Sequence, residues 1–440
     1  MLSRSTAKVA VIGGGYAGMA AAVKLSEQGV SVTVFESAKQ LGGRARGVIY
    51  QNTQLDNGQH LLLGCYRQTL QLIEQVGGNL EADFLNLPLH LALHRQFCLR
   101  APRLPAPLHL LFALFTASGI SFSSRLKAIG FMWSMRQRHF KLEHDICVAE
   151  WLVKFSQPTE LIEKLWEPLC IAALNTPLQK ASAQVLLNVL RDALNQSRAA
   201  SDMLLPRIDF TALFPQRAAQ YIEQRGGQVL LSAGVESVLV VGDKIELSGQ
   251  VDSQKFDYLI CAAPPTVAAK LLQTLPEMAE SVSQIEALTQ QPIYTVYLQY
   301  PATVKLPHAM LGLHRCFSQW VFDKGQIANQ HGLIAAVISA EGIHQGYSHE
   351  ELTQKVIAEL KTELDISETP LWSKVIAEKR ATFCCSPNLI RPSQQTTLPN
   401  LYLAGDYTAG DYPATLEGAV LSGVRCAELV MAQLNLSAKS

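Results

Sequence analysis

Short aliphatic runs alternate with helical patterns in the first part of the chain. Residues 8–12 (Lys-Val-Ala-Val-Ile) predict a buried strand, residues 17–27 predict an alanine-rich helix, and residues 31–35 predict a second strand. Gly29 predicts the end of the helix between the two strands. A strand, a helix and a strand in this order are typical of a parallel sheet, so the pattern predicts an α/β fold.

Strand patterns return much later in the chain. They cover residues 227–240, 244–247 and 256–261, and further apolar runs lie at 293–299, 333–339 and 401–403. Between the two groups, residues 143–198 have a helical pattern that is interrupted by prolines. With 440 residues, the chain is long enough for several domains or for one large discontinuous fold.

Three glycines follow the first predicted strand with G-x-G-x-x-G spacing. Gly13 allows a tight turn, Gly15 lets backbone N–H groups approach a pyrophosphate, and Gly18 lets the helix pack closely on the strand. Glu36 ends the second strand, where a carboxylate binds a ribose hydroxyl and repels a 2′-phosphate. The motif predicts an FAD or NAD site and excludes NADP; the alternative is a glycine-rich turn without a ligand.

A second glycine turn follows the second strand. Gly42 and Gly43 are adjacent and precede Arg44, whose guanidinium group can bind a phosphate with two hydrogen bonds. A single NAD site does not require such a turn. Here the sequence resembles the flavin amine oxidase and phytoene desaturase superfamily, in which Gly-Gly-Arg continues the FAD fingerprint. One departure is Ala38, because many amine oxidases have an arginine two residues after the acid.

The resemblance implies an α/β fold with a Rossmann-like FAD-binding domain and an interleaved α+β substrate domain. It assigns residues 1–70, 206–275 and 385–440 to the FAD-binding domain, residues 71–205 to a helical region that faces the substrate or a membrane, and residues 276–384 to a substrate domain with a sheet and helices.

The resemblance also places other residues at FAD. Val235 presents its backbone to adenine, and the loop that contains Gln59 passes the flavin ring. Near the end of the chain, an apolar strand leads into Gly405 and Asp406, and the segment of residues 413–423 opens a helix whose positive end can stabilise a reduced flavin. The expected FAD-binding residues are Gly13, Gly15, Tyr16, Ala17, Gly18, Glu36, Gly42, Gly43, Arg44, Gln59, Val235, Gly405, Asp406, Thr415 and Leu416.

Composition narrows the possible functions. The net charge is zero and no nucleic-acid-binding motif is present, so the sequence gives no support to nucleic-acid binding. The nine cysteines are odd in number and never form a C-x-x-C pair, which favours reduced thiols in the cytoplasm. No apolar run is long enough to predict a membrane span.

A long basic and apolar region begins at residue 84. Residues 84–142 contain no acid, and leucine, phenylalanine and tryptophan lie among their basic residues. Two interpretations remain open: contact with anionic lipid on the inner face of the plasma membrane, or a buried helix with a solvated basic rim. The basic residues are Arg95, Arg100, Arg103, Arg125, Lys127, Arg136, Arg138 and Lys141.

Several smaller motifs resemble the hydroxysqualene dehydroxylases of bacterial squalene and hopanoid biosynthesis. This resemblance implies reductive dehydroxylation of a hydrophobic isoprenoid, an external electron donor for the flavin, and association with other squalene-pathway enzymes. The alternatives are a carotenoid-type desaturase, another flavin amine oxidase, and a lipid escort protein that has lost FAD. The motifs lie at residues 56–60, 63–66, 166–169, 175–177 and 405–408.

Dehydroxylation requires an acid, and three residues are candidates in the order His60, Glu167 and Asp56. Histidine can be protonated near neutral pH, whereas either carboxyl group would need its pKa raised by burial. The resemblance also places the loop of residues 56–60 against the flavin ring. For Glu167, which lies in an apolar helical stretch, a structural salt bridge is the alternative.

Overall fold

A five-stranded parallel sheet carries the first glycine motif. In the computed structural model, which describes residues 7–194 and 196–437, its strands come from distant parts of the chain. Their side chains are mostly buried on both faces, which explains the apolar runs without polar alternation. In order across the sheet, the strands are Gln228–Leu230, Ser31–Phe35, Lys8–Ile12, Tyr258–Cys261 and Leu401–Leu403.

Helices from both ends of the chain pack together against this sheet. Helix Tyr16–Glu27 contacts helix Leu416–Ser437 so closely that a Cβ atom on Gly423 would lie 2.0 Å from the carbonyl oxygen of Ala17. The predicted α/β architecture is confirmed. The other helices near the glycine motifs are Arg67–Gln75, Phe210–Leu213 and Pro215–Glu223.

A seven-stranded mixed sheet forms the second layer. Helix His349–Leu364 covers it, and Leu352, Val356 and Leu360 join the apolar core on that side. Two of its strands lie within residues 71–205, so this region contains strands as well as the predicted helices. The order is Trp372–Phe383, Gln290–Gln299, Leu333–Ser339, Trp320–Asp323, Met310–Gly312, His90–Leu93 and Phe97–Arg100.

The fold also contains three small sheets. One contains Val235–Val241, Lys244–Gly249 and Gln254–Phe256; another pairs Gly47–Tyr50 with Thr53–Asp56; the third contains Leu62–Leu63, Met203–Pro206 and Phe84–Leu87.

The helices between residues 108 and 194 form a helical layer. Phe131 packs against Trp151 and Trp166, with ring centroids 4.7 and 5.1 Å away. Within the described ranges, no helix is both long and apolar enough to cross a bilayer. The layer contains Leu108–Thr116, Phe122–Gln137, Val148–Lys154, Thr159–Leu161, the π-helical turn Ile162–Trp166, Glu167–Leu174 and Ala183–Leu194.

Short helices complete the chain. They are the α-helices Leu80–Asp83, Pro265–Leu272, Ala279–Glu286 and Lys324–Ala328, together with the 3₁₀ turns Ala199–Ser201, Pro276–Met278 and Ile343–Gly346.

Candidate functional site

The three glycines of the first motif meet different surroundings. Gly13 has a positive φ of 108°, and a Cβ atom there would lie 2.6 Å from the carbonyl oxygen of Ala262. A Cβ atom on Gly18 would lie 2.0 Å from the carbonyl oxygen of Gly13. On Gly15 it would approach only the Cα atom of Gly43, at 3.9 Å. The fold therefore requires the first and third glycines, whereas the second leaves a space for a ligand.

The two glycine turns lie side by side. The N–H group of Gly42 donates a hydrogen bond to the carbonyl oxygen of Gly14 at 2.9 Å. Positive φ angles of 113° at Gly42 and 59° at Gly43 bend this turn toward the first one. Helix Tyr16–Glu27 begins beside this space, so its free N–H groups can bind a pyrophosphate.

Glu36 is held by backbone donors at the end of its strand. Its carboxylate oxygens accept hydrogen bonds from the N–H groups of Gly14, at 2.7 Å, and Ala38, at 2.8 Å. Ala38, where the sequence departs from the amine oxidase pattern, therefore helps to hold the Glu36 carboxylate through its backbone N–H group. Val235 lines the same cavity as Glu36 and begins its own strand. This arrangement fits an adenosine with its ribose on Glu36.

The motif near the end of the chain meets the second glycine turn. Arg44 forms an ion pair with Asp406, with 2.5 Å between Nη2 and Oδ1, and Nη1 donates to the carbonyl oxygen of Ala381 at 2.7 Å. Gly405 has a positive φ of 146°, and its N–H group donates to the Ser422 hydroxyl at 2.8 Å. The motifs at the two ends of the chain therefore form one polar site.

One cavity of about 720 Å³ joins these features. Of the fifteen residues expected to bind FAD, all except Gly18 line it, including Thr415 and Leu416 at the start of the last helix. Gly18 instead packs against Gly13, which is the role that its spacing predicts. The polar half of the cavity thus has the glycine turns, the acid and the helix N-terminus that FAD requires.

The other half of the cavity is apolar. Its walls include residues of the helical layer and of the seven-stranded sheet. Trp320 and Phe322 supply aromatic surface on one wall. The apolar lining includes Leu89, Leu91, Leu169, Ala172, Ala173, Leu186, Val189, Leu190, Ile293, Met310, Trp320, Phe322 and Val337.

Of the three proposed acids, His60 is the one that lines the cavity. Its Nδ1 atom lies 2.8 Å from the carbonyl oxygen of Gly58, and its ring packs on Phe210 with 4.8 Å between centroids. Burial lowers the pKa of the His60 imidazole, although the contact with Gly58 opposes this shift. Because the Gly58 carbonyl oxygen can only accept a hydrogen bond, Nδ1 carries a proton and donates it to that bond. Nε2 is therefore the nitrogen left for proton transfer.

Asp56 and Glu167 lie outside the cavity lining. The Asp56 carboxylate accepts a hydrogen bond from the N–H group of Phe210 at 2.9 Å, and burial raises its pKa to about 7. Burial also raises the pKa of the Glu167 carboxyl, with a further contribution from the charge of Glu163. A raised pKa is typical of a carboxyl group that acts as a general acid in catalysis. These two carboxyl groups, however, do not line the cavity.

A comparison with known protein families decides how this site is interpreted. A family model described as flavin-containing amine oxidoreductase matches residues 16–431. The chain belongs to that family. It is an FAD-dependent oxidoreductase, and the predicted cofactor is confirmed.

Individual relatives of this flavin-containing amine oxidoreductase agree with that assignment. A hydroxysqualene dehydroxylase of Rhodopseudomonas palustris is 29% identical over 96% of this chain and 98% of its own length. A zeta-carotene desaturase of Zea mays is 26% identical over 96% of this chain and 83% of its own length. Cyclohexylamine oxidase from Brevibacterium oxydans shares the fold, with a TM-score of 0.69 and 17% identity over 98% of this chain and 99% of that one.

The structure adds polar residues of this amine oxidoreductase that sequence reasoning missed. Glu378 lines the cavity, and its Oε2 atom accepts a hydrogen bond from Asn57 at 3.5 Å. Lys324 is buried, and its ammonium group donates to the side-chain oxygen of Gln59 at 3.3 Å. Both residues approach residues 57–60 from other parts of the fold, so no local sequence signal identifies them.

The position of Asp56 in this flavoenzyme predicts a structural role. Asp56→Ala should lower the free energy of unfolding by about 3 kcal/mol, because it leaves the Phe210 N–H group and the buried Lys324 without a carboxylate. Asp56→Asn keeps an acceptor for Phe210 and should cost about 1 kcal/mol. Urea unfolding with saturating FAD measures both changes. Equal stability of Asp56→Ala and the wild type would contradict this role.

Proposed function

We propose that this flavoenzyme acts on a long-chain isoprenoid and reduces hydroxysqualene to squalene in squalene and hopanoid biosynthesis. The main support is the continuous cavity, in which an apolar half opens directly onto the FAD half. A hydrocarbon chain gains about 0.8 kcal/mol for each CH₂ group buried in such surroundings. The hydroxysqualene dehydroxylase relative, which matches nearly the whole of both chains, supports this substrate over a smaller amine.

The residues of the cavity fit the chemistry of dehydroxylation. When His60 is protonated, its Nε2 atom can donate a proton to the substrate hydroxyl group, after which the C–O bond breaks and water leaves. The aromatic faces of Trp320 and Phe322 favour the positive charge that develops on the allylic carbon, and the apolar walls exclude bulk water. Bound FAD, reduced beforehand by an external electron donor, supplies the hydride that completes the reduction.

A carotenoid-type desaturase is the second candidate. The zeta-carotene desaturase relative supports it, and the same apolar cavity would accept a carotenoid. This reaction runs in the opposite redox direction, since the substrate loses hydride to oxidised FAD. A lipid escort protein without FAD is not supported, because Glu36, Arg44 and Asp406 are all present at the site.

Anaerobic mixing distinguishes these reactions. Hydroxysqualene added to the dithionite-reduced protein should reoxidise the flavin and yield one squalene per flavin, which absorbance and product analysis measure together. Zeta-carotene added to the oxidised protein is the matched control and should leave the flavin oxidised. The reverse pair of results would show that the protein is a desaturase.

A further inference from the structure

Two neighbouring helices expose apolar side chains that nothing else in the described chain covers. On helix Leu108–Thr116, the exposed residues are spaced by three and four positions and so form a stripe along one face of the helix. The opposite face is buried and contains Leu110, Ala113 and Leu114. This helix is therefore apolar on both sides. Its outward stripe consists of Leu108, Leu111, Phe112 and Phe115.

The second helix extends this stripe. Phe122, Leu126 and Trp133 are exposed on helix Phe122–Gln137, and Trp133 leaves 62% of its surface in solvent. Phe115 and Phe122 pack edge to face with 5.9 Å between centroids, so the two helices present one surface. We call these seven exposed side chains, four on the first helix and three on the second, the apolar face. Monomeric proteins seldom leave so many large apolar side chains together in water.

Every charged side chain that belongs to these two helices is basic. Residues 84–142 contain no acid, and exposed basic side chains border the second helix. The nearest acid in the neighbouring helix, Glu160, is bound to Ser121, whose N–H group donates to it at 3.0 Å. The exposed basic residues are Arg103, Lys127, Arg136, Arg138 and Lys141.

We propose that the apolar face docks on the surface of an anionic phospholipid bilayer. Leucine, phenylalanine and tryptophan would enter the boundary between head groups and acyl chains, while lysine and arginine would pair with lipid phosphates. A second copy of the chain fits this surface less well, since a symmetric contact would bring the basic side chains of two copies together. The inference extends the proposed function, because a bilayer is the phase in which a long isoprenoid dissolves.

Flotation of the FAD-bound full chain with vesicles tests this proposal without any substrate, so its failure would leave the proposed reaction untouched. The wild type should float with vesicles of phosphatidylcholine and phosphatidylglycerol, and less with phosphatidylcholine alone. Leu111→Gln/Phe112→Gln/Phe115→Gln should reduce partitioning at least about tenfold. Leu371→Gln/Ile390→Gln, which changes apolar residues elsewhere that are even more exposed, is the control and should float like the wild type.

Charge and oligomeric state provide two further measurements. Lys127→Glu/Arg136→Glu should reduce binding to the phosphatidylglycerol vesicles, and high salt should weaken wild-type binding in the same direction. All variants should stay yellow, which shows that the fold is intact. Absence of flotation, equal flotation of the wild type and the Leu111/Phe112/Phe115 variant, or a dimer that this variant converts to a monomer would overturn the proposal.

Discussion

Gly15→Val should abolish FAD retention while leaving the fold intact. A Cβ atom at this position meets only the Gly43 Cα atom at 3.9 Å, so the protein itself has room for it. The added side chain would instead fill the space between the two glycine turns and keep the pyrophosphate away from backbone N–H groups. Loss of two charge-assisted hydrogen bonds should raise the dissociation constant for FAD at least about a hundredfold.

The absorbance of the purified protein near the flavin bands measures this loss directly. Gly130→Val is the matched control, because a Cβ atom on Gly130 meets nothing within 4 Å and this glycine lies far from the glycine turns in sequence. The Gly130→Val protein should retain FAD and therefore be yellow when purified. Gly18→Val is expected to damage folding itself, since a Cβ atom there would collide with Gly13. A fully yellow Gly15→Val protein with a native circular dichroism spectrum would refute the assigned FAD site.

His60→Ala should slow flavin reoxidation by hydroxysqualene about a hundredfold or more, the low end for loss of a general acid. Glu167→Gln should react like the wild type, because Glu167 does not line the cavity. Single-turnover mixing of dithionite-reduced protein with substrate measures both rates. Each variant must first be shown to hold a full complement of FAD, so that weak cofactor binding is not mistaken for a lost acid.

The dependence on pH separates an acid from a residue that only supports the ring. Burial lowers the pKa of His60 below its ordinary value of 6.5, so the protonated fraction grows as the pH falls through that lowered value. The wild-type rate should therefore rise toward acidic pH, and His60→Ala should lose this rise. A His60→Ala protein with near wild-type rates, together with a hundredfold loss in Glu167→Gln, would assign the role to Glu167 instead.

The FAD half of the site is predictable from sequence because its requirements are local. Each glycine turn spans a few consecutive residues, and Gly13 and Gly42 adopt backbone angles that favour glycine. Strand Lys8–Ile12 has the uninterrupted apolar pattern of a parallel strand. The sequence therefore determines the order of strand, turn and helix before any long-range contact is known.

The substrate half of the site is harder to predict from the sequence, because it depends on which face of each helix or strand lines the cavity. Leu169, Ala172, Ala173 and Leu174 line it from helix Glu167–Leu174. Glu167, at the start of this helix, points in a direction that leaves it out of the cavity lining. A stretch that is apolar on every face gives no indication of this direction. Glu378 was missed for a related reason, because its strand reaches the cavity only in the assembled fold.

The contact between the first and last helices has a consequence for how the protein is made. Strand Lys8–Ile12 leaves the ribosome early, but Tyr258–Cys261 and Leu401–Leu403, which complete its side of the sheet, follow much later. At ordinary translation rates, residues 36–400 take roughly 20 to 70 s to synthesise. During that time the apolar surface of the first strands and helix stays uncovered, which favours aggregation of the incomplete chain. FAD can therefore enter a finished site only after Gly423 has packed against Ala17.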